Sequence, residues 1–97
     1  MKTNHYENGW LTEISYAQVV DKIREGKEKA GLTYPAISLN VNEKVAYVRQ
    51  VLSKSVADST YYTLLARIFE YLYEDTRLLF DRSNSKIYIL HQDSNVQ

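Results

Sequence analysis

Cysteine is absent from the 97 residues. That excludes a disulfide framework, a zinc ribbon and a thiol nucleophile, leaves stability to an apolar core, and suits a reducing, cytoplasmic setting. Only three glycines occur, and none belongs to a loop that cradles phosphate. Neither sign of charge is in surplus, since 12 Lys and Arg offset 12 Asp and Glu. The chain as a whole therefore lacks the field that drives non-specific binding to nucleic acid or anionic lipid, and any phosphate-binding face must be local. No apolar run approaches bilayer length and the stretch from Met1 to Trp10 is polar, so neither a membrane span nor a leader is expected. Helix 16–29, described below, is amphipathic, but Asp21, Glu25 and Glu28 among its lysines argue against a membrane-surface role.

Groups for catalysis are also scarce. The two histidines, His5 and His91, stand near the ends of the chain, away from an activating neighbour. His5 with Glu7, or His91 with Asp93, offers two ligands where a metal site needs three or four. Glu74 and Asp75 are adjacent on a helix and so diverge, as in a solvated face. No enzymatic activity, cofactor, metal or small-molecule substrate is expected.

What the chain does contain is 44% hydrophobic and 25% charged residues, the balance of a globular protein. Its length predicts one domain over 1–97, with an ordered core over about 11–91, a flexible N-terminal segment and a frayed tail. Nine tyrosines stand out, because each joins a flat apolar ring to a polar tip, a pairing enriched where proteins meet partners. The plainer alternative is that they rim a small core.

Along the chain, Trp10, Leu11 and Ile14 form an apolar anchor without a clear period. Ser15 with Gln18 matches a helix-start box, and Tyr16, Val19, Val20 and Ile23 share a face, predicting helix one over about 16–29 with Gly31 as its stop. Residues 32–40 contain Pro35 and alternate at Ile37 and Leu39, so they read as a short strand or an extended linker. Asn40 with Glu43 suggests a second cap, and Val41, Val45, Val48 and Leu52 predict helix two over about 41–54. Asp58 caps the strongest pattern, Tyr61, Leu64, Leu65, Ile68 and Leu72, which predicts helix three over about 59–75. A second stripe, Tyr62, Ala66, Phe69 and Tyr73, widens its apolar arc beyond what one small core requires. Arg77–Phe80 and Lys86–Leu90 predict a β-hairpin across residues 81–85, with Ile87 and Ile89 opposite in phase to Tyr88 and Leu90.

The expected class is α+β: three helices with a C-terminal hairpin. The order helix, short strand, helix, helix, hairpin resembles a winged helix-turn-helix architecture over roughly residues 15–91. The resemblance implies a reading helix and wing, with Ser59, Thr60, Tyr62, Thr63 and Arg67 toward bases and Lys54, Arg82 and Lys86 toward the DNA backbone. Helix three, however, sets Glu70, Glu74 and Asp75 against the lone Arg67, an acidic surface that DNA repels. The first expectation is therefore a small non-enzymatic regulatory or adaptor protein, such as an inhibitor of a larger target. It would bind a protein partner, or a second copy as a homodimer, through Tyr62, Phe69 and Tyr73 with Tyr47 and Arg49 beside them. A winged DNA-binding regulator is the alternative.

Overall fold

A computed structural model describes residues 3–6, 9–53 and 58–92, with side chains over 10–53 and 58–91. Among the described residues, four α-helices and four antiparallel strands make an α+β fold. In chain order the elements are β1 (Thr3–Tyr6), β2 (Gly9–Ile14), α1 (Tyr16–Ala30), α2 (Tyr34–Val41), α3 (Val45–Val51), a 3-10 turn (Ser59–Tyr61), α4 (Tyr62–Leu72), β3 (Thr76–Asp81) and β4 (Lys86–Gln92).

Helix α1 begins where expected. The Ser15 hydroxyl accepts from the Gln18 N–H at 3.1 Å while the Gln18 side chain accepts from the Ser15 N–H at 2.9 Å, a reciprocal cap worth about 1 kcal/mol. Val19, Val20 and Ile23 point into the core with no exposed surface, and Gly31 ends the helix at φ 67°. The expected hairpin is also present, and Asp81 closes its turn by accepting from the Asn84 side chain at 2.8 Å.

Residues 32–40 are not a strand or linker; Tyr34–Val41 form helix α2. Thr33 accepts from the Ala36 N–H at 3.2 Å, and Pro35 falls in the first helical turn, where its missing N–H has no partner to lose. Burial follows a helical period: Ile37, Ser38 and Val41 turn inward while Leu39 is 83% exposed. Asn40, read as a cap, lies inside α2, and it is Asn42 that ends the helix, at φ 58°. The helix expected over 41–54 therefore shrinks to α3, Val45–Val51. The helix expected over 59–75 resolves into the 3-10 turn capped by Asp58 and then α4, ending at Leu72.

No element was expected before residue 16, yet β1 and β2 pair there, and β2 pairs with β4 to give the sheet order β1-β2-β4-β3. A winged arrangement would put its first strand between the first two helices, where this chain has α2's approach instead; the strand that joins the hairpin comes before α1. The register places Ile14, Ile87, Phe80, Ile89 and Leu78 on one face, and all five pack with the helices. Helix α4 lies against that layer, touching β3 on one side and α1, α2 and α3 on others.

Candidate functional site

Tyr62 and Phe69 of the aromatic stripe belong to the core. Tyr62 is 6% exposed and Phe69 is 2% exposed. Tyr62 stacks on Phe80 of β3 with ring centres 4.5 Å apart, and the Arg82 guanidinium lies 5.6 Å from its centroid. Phe69 packs on Tyr73 at 4.9 Å, and the Tyr73 hydroxyl donates to the Lys22 carbonyl of α1 at 2.5 Å. The expected docking surface is thus corrected for Tyr62 and Phe69, which are buried among helices and sheet, while Tyr73 is half-buried at the rim of the core. Tyr47 packs on Tyr61 at 5.8 Å, and Arg49 turns instead to Tyr34.

Of the residues named for the DNA alternative, the described cations each meet another group. Ser59, Thr60 and Thr63 are exposed. Arg67 donates to the Val41 carbonyl and lies 3.9 Å from the Glu43 carboxylate, tying α4 to the end of α2. Lys86 lies 3.7 Å from Glu13, Arg82 is on Tyr62, and Lys54 falls outside the described residues.

Among the described residues, no helix covers the opposite face of the sheet. Leu11, Leu90 and Arg77 line up across β2, β4 and β3, and Glu13, Tyr88 and Leu79 form the next row. None of these side chains belongs to the helix-packed core. Leu79 is 37% exposed and Tyr88 and Leu90 are half-buried, whereas Leu11, nearest β1, is buried at 7%. At the free edge of β3, the Glu70 carboxylate accepts the Leu78 N–H at 3.0 Å, which covers one of the unpaired donors an edge strand presents.

A cleft of about 340 Å³ opens between α1 and the β2–β4 strands, floored by Ile14 and Ile89 and rimmed by Asp21, Lys22 and His91. His91 stacks on Trp10 with ring centres 5.0 Å apart. Burial, and then the nearby Lys22 ammonium, hold its imidazole below the ordinary histidine range. The charge that bears on it is a cation, which disfavours the imidazolium. Among the described residues, no three His, Asp or Glu side chains gather as metal ligands, and no helix is long and apolar enough to cross a membrane.

No family model, curated protein or solved structure matches the chain. A function for it has to come from its own side chains.

Sequence reasoning missed the bare sheet face, although one signal pointed there. Strand β4 is apolar in both phases, Ile87 and Ile89 on one side and Tyr88 and Leu90 on the other. A strand apolar on both sides is one that two layers cover. It also missed the convergence of Lys27 and Arg49 on Tyr34, because those residues come from three helices.

Proposed function

We propose that this protein is a non-enzymatic regulatory or adaptor module acting through protein contacts, and that the bare sheet face is its docking surface, with a second copy of the chain as occupant. The observation that carries the reading is the row pair Leu11–Leu90–Arg77 and Glu13–Tyr88–Leu79, where Leu79, Tyr88 and Leu90 keep part of their surface in solvent and, among the described residues, no helix lies over them. Sheets satisfy such faces by stacking on another sheet about 10 Å away.

The charges favour a like partner. Arg77 ends one row on the β3 side and Glu13 ends the next row on the β2 side. A two-fold axis along β4 sets β3 of one copy over β2 of the other, which brings each Arg77 toward the second copy's Glu13, already met at 3.7 Å by Lys86 of its own chain. Stacking is also favoured over edge-to-edge growth at β3, because Glu70 covers the Leu78 N–H there.

Sedimentation equilibrium across a dilution series tests this. The wild-type chain is expected to dimerise, and Leu79→Lys to be monomeric with an unchanged far-UV circular dichroism spectrum. A wild type that remains monomeric at every concentration would overturn the reading.

A further inference from the structure

Helices α2 and α3 form a compact helix-turn-helix: eight residues, a three-residue turn opened by Asn42 at φ 58° and ψ 51°, then seven residues. Val48, Val51 and Leu52 hold α3 on the core, while Lys44, Ala46, Arg49 and Gln50 are exposed. The charge along this unit is one-sided. Helix α2 has no charged residue, and from Asn42 to Leu52 the chain carries Lys44 and Arg49 against the single acid Glu43. That acid is engaged by Arg67 at 3.9 Å.

Helix α1 adds a further cation to the same surface. The Lys27 ammonium lies 4.7 Å from the centroid of Tyr34, and the Arg49 guanidinium lies 4.9 Å from the same centroid. The ring's negative face offsets part of their charge. Two cations gathered on one ring still repel each other, and a bound anion relieves that repulsion. Glu28, next to Lys27 in sequence, projects about 100° away around α1. Glu25 is taken up by Lys29 at 3.8 Å.

We infer that the α3 surface, with Lys27, Tyr34 and Arg49 at its centre, binds the phosphodiester backbone of duplex DNA. Shape decides among the polyanions. The surface lies where α1, α2 and α3 meet, with Ala46, Arg49 and Gln50 of α3 exposed on it, and the major groove of a duplex admits a helix. An anionic membrane would need an apolar helical face to embed, and Leu39 alone projects from α2 in that way. The inference uses none of the residues of the bare sheet face and stands apart from it.

The test is fluorescence anisotropy of a labelled mixed-sequence duplex over a salt series, with phosphatidylserine vesicles measured in parallel. Wild-type affinity is expected to fall linearly with salt on logarithmic axes. Arg49→Ala and Lys27→Ala are each expected to weaken binding several-fold and to lower the slope by about one. Arg49→Lys, which keeps the charge, should retain the slope, as should Arg82→Ala at the hairpin. Leu79→Lys should leave the slope per chain unchanged, which separates this result from self-association. Three outcomes would overturn the inference: no salt-sensitive duplex binding, binding indifferent to both Arg49→Ala and Lys27→Ala, or capture by the vesicles rather than by the duplex.

Discussion

The carboxylate of Glu70 on α4 accepts a hydrogen bond from the backbone N–H of Leu78 on β3, 3.0 Å away. A residue that reads in sequence as part of an acidic helix surface thus guards the edge of the sheet. Glu70→Ala should lower stability by about 1 kcal/mol and leave an unpaired strand donor open to other chains. Glu70→Gln keeps an acceptor oxygen and should lose less. Urea midpoints together with light scattering check both effects, and equal losses in the two variants would remove the edge-guard role.

Gly26 lies in the middle of α1, where alanine ordinarily stabilises a helix by about 1 kcal/mol. Here a Cβ would sit 2.9 Å from the Tyr73 hydroxyl and 3.1 Å from the ring carbon that bears it. The ring has little room to yield, because its hydroxyl is bonded to the Lys22 carbonyl and its face packs on Phe69. Gly26→Ala should therefore be neutral or destabilising in the wild type, yet stabilising in a Tyr73→Ala background. A double-mutant cycle of thermal midpoints measures the coupling, and simple additivity would contradict it.

Tyr16 donates its hydroxyl to the Val51 carbonyl at 2.6 Å, joining α1 to the end of α3. Burial, with lesser contributions from Tyr61, Tyr47, Tyr62 and Asp58, pushes its pKa from 10.0 up to about 12. In the unfolded chain the phenol loses its proton near pH 10, while the folded chain retains it to about 12. The associated stability is therefore complete below pH 10 and is lost as pH rises toward 12. Tyr16→Phe should lower stability at neutral pH by about 1 kcal/mol, through the unpaired carbonyl. It should also flatten the decline in urea midpoint across the alkaline window.

Trp10 is the only tryptophan, and its stacking on His91 makes it a reporter of that imidazole. Burial and Lys22 depress the His91 pKa below 6.5, so the unfolded chain takes up the proton first as pH falls. The stability this contributes is complete above pH 6.5 and is lost as pH drops through the folded value. An imidazolium quenches a stacked indole, so the fluorescence titration should show a midpoint below 6.5 that Lys22→Gln raises and His91→Gln abolishes. A midpoint that Lys22→Gln leaves in place would exclude the ammonium as a cause.

The elements legible in the sequence are those fixed by neighbours a few residues away. Ser15 with Gln18 marks the start of α1, Asp58 marks the 3-10 turn before α4, and Leu64, Leu65 and Ile68 mark the buried side of α4. Pro35 was ambiguous because the same fixed φ suits an extended segment and a first helical turn, and only the burial of Ile37 and Val41 selects the helix. Strand β2 was hidden because its central partner, β4, lies more than seventy residues further on.

Local pattern alone therefore determined the α+β class, the α1 helix, the C-terminal hairpin and the apolar side of α4, since each depends on backbone period and short-range capping. Tertiary structure decided which apolar faces are hidden. A helical wheel measures the width of an apolar arc but not what lies beyond it, and α4 touches α1, α2, α3 and β3, which bury Tyr62, Leu64, Leu65, Ile68 and Phe69 while Tyr71 stays exposed. It equally decided that Leu79, Tyr88 and Leu90 face a side that no helix covers among the described residues, and that Lys27 and Arg49 meet on Tyr34. Both depend on contacts between segments far apart in the chain, which a periodicity does not encode.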